Sequence, residues 1–88
     1  MYVLECSDGS LYCGITTDPA RRLHEHNATA RGAKYTRSRR PVRQVFLRPC
    51  RDRSEAARLE SAFKSLARAE KVGVIMRQEF DPAPRGCP

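Results

Sequence analysis

The sequence predicts one α+β domain whose elements follow the order β-β-α-β-α-α. A chain of 88 residues is long enough for a single domain. Asp8-Gly9, between two short apolar runs, is a strong signal for a β-hairpin. Apolar residues recur at helical spacing after residue 55, which predicts a helix packed on a sheet. We therefore expect a domain over residues 1–80 and a disordered tail over residues 81–88, which contain three prolines and a glycine.

The hairpin brings two tyrosines onto neighbouring strands. Residues 2–6 and 11–16 are the predicted strands, and Tyr2 and Tyr12 lie about equally far from the turn. Their rings are expected to be neighbours on one face of the sheet, where the pair could simply stabilise the strands. Gly14 lies late in the second strand, and a glycine there indicates that a backbone or a substrate comes close.

The first predicted helix carries an arginine and a histidine on one face. Asp18 is a favourable N-cap and Pro19 a favourable first residue, and the helix is expected to end near residue 27 or 28. Arg22 and His26 are four residues apart, so they share a face. An exposed helix surface is the simplest interpretation of this pair, and a functional site is the alternative.

The remaining elements follow a polar segment. Residues 27–41 lack hydrophobic periodicity and predict a loop, whereas residues 42–47 predict the third strand. A capping signal at Asp52 predicts the start of the next helix. A last helix is expected from about residue 67 to residue 78. Two of the three predicted helices therefore follow the third strand.

Glu60 lies at the edge of the apolar stripe of the helix that begins after Asp52, about 100° around the axis from Leu59. Lys64 follows it by four residues, so a surface ion pair is one interpretation. The other is a carboxylate held at the edge of the core, where it could bind a hard cation. The residues alone favour neither interpretation.

The net charge of +7 and a pI near 9.8 indicate a protein that binds polyanions. The segment from residue 31 to residue 51 has eight basic residues and no acid, so we expect one face of the molecule to be strongly positive. Tyr35 lies within this segment and could stack on a base or pack on the domain. The basic residues are Arg31, Lys34, Arg37, Arg39, Arg40, Arg43, Arg48 and Arg51.

The composition argues against several other classes of protein. The four cysteines form no Cys-x-x-Cys pair, which disfavours a zinc site, and we interpret Cys6, Cys13 and Cys50 as small apolar residues. No apolar run approaches the roughly 20 residues that span a bilayer. No secretory signal is present either. We therefore expect a cytoplasmic protein that does not act at a membrane.

Several of these residues could together hydrolyse a phosphodiester bond. The reaction needs an activated water, stabilisation of the developing charge and a cation near the phosphate. Glu60 could bind Mg²⁺ together with phosphate oxygens and waters, and Arg22 could grip the phosphate. Tyr2 or Tyr12 could act as the base if cations lower its pKa. His26 could orient the water or the leaving group.

The order and spacing of these residues resemble the GIY-YIG nuclease family. The matching residues are Tyr2, Tyr12, Gly14, Arg22, His26 and Glu60. Arg22 follows Gly14 by eight residues and His26 follows Arg22 by four, as in that family. The likeness covers about residues 2–78 and is greatest to small stand-alone bacterial members. Residues 32–42 and 55–66 also resemble these small proteins and the catalytic subunit of structure-specific endonucleases that cut branched DNA.

The resemblance implies a three-stranded antiparallel sheet flanked by helices. It also implies an endonuclease that uses Mg²⁺ or Mn²⁺ and cuts one DNA strand per active site. The substrate would be branched or single-stranded DNA in repair or recombination, bound through the phosphate backbone with little sequence specificity. A protein partner could supply substrate choice. The chain departs from the family pattern twice: the usual Gly-Ile before Tyr2 is absent, and Cys13 stands where isoleucine is common.

The resemblance also implies a role for each matching residue. The implied catalytic residues are Tyr2, Tyr12, Arg22, His26 and Glu60, with Glu60 as the metal ligand. The expected nucleic-acid-binding residues are Lys34, Tyr35, Arg37, Arg39, Arg40 and Lys64, the last of them near the metal. A non-catalytic nucleic-acid-binding module is the alternative function, and a basic RNA-associated protein is a third. Loss of DNA cleavage in Glu60→Ala would distinguish the nuclease from both alternative functions.

Overall fold

The computed structural model describes residues 1–29 and 31–82, which form an α+β domain. Within this range the elements are β1 (Tyr2–Glu5), β2 (Leu11–Gly14), α1 (Pro19–Ala28), α2 (Lys34–Arg37), β3 (Arg43–Leu47), α3 (Arg53–Lys64) and α4 (Arg68–Arg77). The predicted order is confirmed, with one addition. The short helix α2 lies inside the segment predicted as a loop, because a single turn is too short to show hydrophobic periodicity.

β1 is the central strand of an antiparallel sheet with the order β2-β1-β3, which confirms the implied three-stranded sheet. Tyr2 is paired with Gly14, and Tyr12 is paired with Leu4. The tyrosines are therefore diagonal neighbours with ring centroids 6.5 Å apart, and they are not equally far from the turn. The hairpin turns at Gly9, whose φ of +84° lies in the region that favours glycine.

Both predicted helix caps form hydrogen bonds. Asp18 Oδ1 accepts from the backbone N–H of Arg21, and Asp52 Oδ1 accepts from that of Glu55. The Glu55 carboxylate accepts from the backbone N–H of Arg51, one residue before the cap, so the reciprocal bond of a capping box is displaced. In the described part of the chain, no helix is long and apolar enough to cross a membrane.

The sheet separates two different layers. One side, termed the apolar face, packs against α3 and α4. Its buried residues are Met1, Val3, Cys13, Phe46, Leu59, Phe63, Val74 and Phe80. The other side, termed the tyrosine face, packs against α1 and α2 and includes polar groups. Its buried residues are Tyr2, Leu4, Cys6, Val42, His26 and Thr36.

The cysteines contribute to packing. Cys6 and Cys13 are buried and Cys50 is half-buried, each as a free thiol. Burial raises the pKa of the Cys13 thiol to about 12, so this thiol stays protonated at neutral pH. Among the residues that the structure describes, no three His, Cys, Asp or Glu side chains are grouped to hold a metal ion. The three thiols thus fit the interpretation as small apolar groups, and Cys87 lies outside the described residues.

The predicted tail begins with a residue that binds the domain. Asp81 forms an ion pair of 2.8 Å with Arg48, and the preceding Phe80 packs edge to face on Phe63. Tertiary contacts therefore reach residue 81. The last part of the predicted tail, residues 83–88, lies outside the described residues.

Candidate functional site

A series of buried hydrogen bonds begins at Tyr2. The Tyr2 hydroxyl lies 2.9 Å from His26 Nε2, and His26 Nδ1 lies 2.7 Å from Thr36 Oγ1. Thr36 Oγ1 in turn donates to the carbonyl of Ala33 at 2.9 Å. His26 and Thr36 are both 0% exposed, so water does not reach the bond between them. Three elements, β1, α1 and α2, must therefore be in place to form the series.

The environment of His26 keeps its imidazole neutral. Burial and the positive charges of Arg22 and Arg40 lower the pKa of His26 from 6.5 to about 4, against an opposing effect of Glu25. Both ring nitrogens have protein partners, and the ring does not reach the surface. His26 therefore does not lie on an exposed helix surface. It can orient a water or a leaving group only indirectly, through the hydroxyl of Tyr2.

Burial also controls the ionisation of Tyr2. It raises the pKa of Tyr2 above the usual 10.0, and the nearby guanidinium of Arg22 offsets this only in part. The expectation that cations would lower a tyrosine pKa is therefore wrong for Tyr2, because its side chain is only 3% exposed. The hydroxyl is protonated at neutral pH and can donate a hydrogen bond to His26.

Gly14 is required by Tyr2. A β-carbon at Gly14 would lie 2.5 Å from the Tyr2 hydroxyl oxygen and 2.7 Å from Cζ of the same ring. Atoms at these distances would overlap, so any side chain at Gly14 would displace the phenol. The space beside this glycine is occupied by a side chain of the protein itself, so the structure gives a reason for the glycine other than the expected approach of a backbone or a substrate.

Tyr12 lies in a stack of aromatic rings at the edge of the tyrosine face. Its ring is half-buried and stands 5.2 Å from the imidazole of His26, edge to face. Tyr35 stacks on Tyr12 at a centroid distance of 6.0 Å, and Cζ of Arg39 lies 3.9 Å from the centroid of Tyr35. Of the two interpretations of Tyr35, the structure therefore shows the ring packed on the domain.

The guanidinium of Arg22 is fixed by α1 and by the chain that follows it. Nη1 donates to Glu25 Oε1 at 3.1 Å and to the carbonyl of Arg31 at 2.7 Å. Both bonds use one nitrogen of a group that has five N–H donors. Arg22 thus stands beside the Tyr2 hydroxyl with its orientation set before any ligand binds.

Glu60 lies on the other side of the sheet from the tyrosines. After burial, the Glu60 carboxylate is the next cause of the raised pKa of Cys13, a residue of β2 whose side chain points into the apolar face. Its carboxylate is 3.6 Å from Nζ of Lys64, so the predicted ion pair is present. No hydrogen bond or ion pair within the described ranges joins Glu60 to the tyrosine face. The expected catalytic residues therefore come from elements on both sides of the sheet: Glu60 from α3, and the other four from β1, β2 and α1.

Acids from other parts of the chain neutralise much of the basic segment. The ion pairs are Arg39–Asp8, Arg43–Glu5, Arg48–Asp81 and Arg51–Glu55, at 2.6–3.0 Å. Four of the eight basic residues of the segment therefore have an acid partner, and the strongly positive face stays a prediction. Lys34 and Arg37, on α2, are exposed. They are the cations of this segment best placed to meet a ligand.

Several contacts that hold the end of α1 were not expected from the sequence. Arg40 Nε donates to the carbonyl of His26 at 2.6 Å, so this arginine binds the helix terminus. A β-carbon at Gly32 would lie 2.9 Å from Cα of His26, so the close approach requires glycine. Thr36 is a single polar residue among cations, and no pattern in the sequence indicates its role. Arg40, Gly32 and Thr36 all lie in contact with His26.

Several known proteins have sequences similar to that of this chain. A sequence model of the GIY-YIG catalytic domain matches residues 1–72. A UPF0213 protein of Desulfotalea psychrophila is 52% identical over 79 residues, which cover 90% of this chain and 72% of the relative. UPF0213 proteins of Streptococcus agalactiae and Listeria welshimeri are 49% and 48% identical, over 90% and 91% of this chain and 89% and 88% of their own lengths. No solved structure shows a significant match.

The family match covers most of the chain and includes both groups of expected catalytic residues. Tyr2 and Tyr12 share one face of the sheet, and α1 brings Arg22 and His26 to that face. The resemblance that the spacing suggested is therefore confirmed by an independent comparison. The protein belongs to the GIY-YIG nuclease family and is similar to its small bacterial UPF0213 members.

Proposed function

We propose that this protein is a metal-dependent endonuclease that hydrolyses phosphodiester bonds in DNA and cuts one strand per active site. The observation that carries the proposal is the series of buried hydrogen bonds from Tyr2 through His26 to Thr36, beside Tyr12, in a GIY-YIG domain. Branched or single-stranded DNA is the proposed substrate, in repair or recombination in the cytoplasm. A protein partner could supply substrate choice.

The two tyrosines share the activation of water in this proposal. Tyr12 is less buried than Tyr2, so it contacts the attacking water. The neutral His26 can accept the proton of Tyr2 while the Tyr2 oxygen takes a proton from that water. Arg22, held by Glu25, binds the phosphate oxygens on which negative charge develops.

The residues present fit a cation that takes one carboxylate from the protein. Glu60 is half-buried, and no cluster of three ligands exists among residues 1–29 and 31–82. Mg²⁺ or Mn²⁺ would therefore be held by Glu60 together with phosphate oxygens and waters. When bound, it would supply positive charge beside the scissile phosphate. Lys64, 3.6 Å from the same carboxylate, would adjoin that phosphate.

We propose that the DNA backbone runs along α2. The proposed contact residues are Lys34, Tyr35, Arg37, Arg39, Arg40 and Lys64. Lys34 and Arg37 are exposed and would contribute most of the binding, whereas Arg39 and Arg40 also bind groups of the protein. In Lys34→Gln/Arg37→Gln, the slope of log affinity against log salt should fall by about two, one for each lost phosphate contact. The control Arg58→Gln/Arg77→Gln removes the same charge, and an equal fall in both variants would contradict this path.

The experiment that tests the proposed function is a cleavage assay on single-stranded, duplex, flap and four-way-junction DNA, with RNA in parallel. Each substrate is incubated with Mg²⁺, with Mn²⁺ and with EDTA. The variants are Glu60→Gln, Arg22→Gln and Tyr12→Phe, with Glu79→Gln and Arg21→Gln as matched controls on exposed residues of the same types. We expect metal-dependent cutting of DNA by the wild type and by the two controls.

The site variants should lose about 10²-fold to 10⁴-fold in rate, the usual range for the loss of a general base or a charge-stabilising group. DNA binding should change little in Glu60→Gln. Salt-sensitive DNA binding without cleavage on any substrate would contradict the nuclease and favour the binding module. Metal-independent binding of RNA alone would favour the RNA-associated protein.

A further inference from the structure

We propose that Thr36 is a positioning residue that sets the tautomer of His26, so that His26 accepts the hydrogen bond from Tyr2. The statement about the tautomer depends only on the geometry of the folded chain. Its consequence for cleavage rests on the proposed function. Thr36 is fully buried on α2, and no family motif or charge pattern in the sequence points to it.

One end of the series of hydrogen bonds has a fixed direction because it ends at a carbonyl. The carbonyl of Ala33 can only accept, and Thr36 Oγ1 is 2.9 Å from it, so the single hydroxyl proton of Thr36 points there. Thr36 Oγ1 is then left as the acceptor for His26 Nδ1 at 2.7 Å. A neutral imidazole has one N–H, so a proton on Nδ1 leaves Nε2 as an acceptor.

The other end is consistent with the same direction. Burial raises the pKa of Tyr2, so its hydroxyl is protonated at neutral pH and has a proton to donate. The Tyr2 oxygen lies 2.9 Å from His26 Nε2, which is the hydrogen-bond partner that the structure gives this hydroxyl. Each group in the series then donates in the direction from Tyr2 towards the Ala33 carbonyl.

Thr36 is the group that decides between the two tautomers. The other neighbour of His26 Nδ1 is the backbone N–H of Ala33 at 3.4 Å, which is a donor and would favour an unprotonated Nδ1. Without the Thr36 hydroxyl this donor would be the remaining partner, and the proton should move to Nε2. Nε2–H would then donate to Tyr2, and His26 could no longer accept the proton of Tyr2.

The direct test is NMR of the full chain labelled with ¹⁵N in its histidine rings, at pH 7.5 and without DNA. In the wild type, we expect the proton of His26 on Nδ1. Thr36→Ser keeps the hydroxyl and should keep this tautomer, whereas Thr36→Val keeps the shape and should move the proton to Nε2. His24, which is exposed on the same helix, serves as the internal reference. A wild-type His26 protonated on Nε2 overturns the proposal, whether or not Thr36→Val folds.

The second readout is the cleavage rate under the conditions of the proposed function. Thr36→Val should lower kcat about 100-fold or more, as expected for a catalytic unit whose histidine is in the wrong tautomer, with little change in KM. Thr36→Ser should remain within about threefold of the wild type. A changed tautomer with an unchanged kcat overturns the positioning role. If the wild type cuts no substrate, the proposed function fails, while the NMR result still decides the tautomer.

Discussion

The apolar face and the tyrosine face of the same sheet are equally well buried but are held together differently. On the apolar face, Phe63 and Phe80 meet edge to face among hydrophobic neighbours, so burial of apolar area stabilises the layer. On the tyrosine face, His26 and Thr36 are buried as completely, and each polar atom needs a partner. In the described ranges, no buried side-chain nitrogen or oxygen lacks one.

The difference means that most of the apolar core lies on one side of the sheet, whereas four of the five proposed catalytic residues lie on the other. A substitution on the apolar face should act mainly on the free energy of unfolding. A substitution on the tyrosine face should act on hydrogen-bond direction and on ionisation, with smaller effects on stability. This separation can be tested by changes on either side.

The largest effect on stability is expected for Phe63→Ala on the apolar face. Phe63 is 1% exposed, and truncation of a buried phenylalanine leaves a cavity that costs roughly 3–5 kcal/mol of unfolding free energy. Urea unfolding followed by circular dichroism measures this loss. Met76→Ala, at a position that is 80% exposed, is the control and should change stability by less than about 0.5 kcal/mol. Equal losses in the two variants would contradict the assignment of the core.

Lowering the pH should destabilise the folded protein through His26 on the tyrosine face. The ring of His26 is surrounded by Tyr2, Arg22, Glu25 and Arg40. Because the pKa of His26 is about 4 in the folded protein and 6.5 when unfolded, the unfolded chain binds more protons between these values. Stability should therefore fall as pH drops from 6.5 towards 4, by about 3 kcal/mol at 1.36 kcal/mol per pKa unit. Above pH 6.5 the histidine is neutral in both states and contributes no pH dependence.

The measurement is urea unfolding between pH 7.5 and 4.5 for the wild type, His26→Gln and His24→Gln. The contribution of His26 is the difference in pH dependence between the wild type and His26→Gln, since the carboxylates titrate in both. His24 is exposed on the same helix, so His24→Gln should follow the wild type. A His26→Gln profile parallel to that of the wild type would contradict the neutral buried imidazole.

The smallest of the three effects is expected for Gly14→Ala, which adds one methyl group beside Tyr2. The methyl would meet the phenol oxygen at 2.5 Å, and such overpacking costs about 1–3 kcal/mol. Tyr2→Leu shortens the side chain and should remove the clash, so Gly14→Ala should cost less in that background. A double-mutant cycle of the two changes measures the coupling. Additive effects would show that Gly14 is needed for another reason.

The sequence predicted the elements that rest on local signals. Asp18 and Asp52 cap their helices as expected because a cap is a bond between near neighbours. The family residues of β1, β2 and α1 were found because their spacing is fixed by a hairpin and one helix. The charge pattern was less informative: Arg43 and Arg48 have partners at residues 5 and 81, and no local pattern reveals such distant pairs.

The hydrogen-bond series of the tyrosine face could be predicted only in part. Tyr2 and His26 were expected near each other, but not that both would be buried, because burial depends on how α2 covers α1. Thr36 and Gly32 were missed since their roles depend on contacts with His26 across a turn of irregular chain. Glu60 was placed on the expected helix, yet the side of β2 it faces follows from tertiary packing.

The central place of β1 has a consequence for how the protein is made. β1 precedes the other elements in the sequence, but its second neighbour in the sheet ends at residue 47 of an 88-residue chain. Until that point has left the ribosome, Tyr2 belongs to a two-stranded hairpin, which is only marginally stable in water. The site must therefore assemble after β3 has been synthesised, about 45 residues after Tyr2.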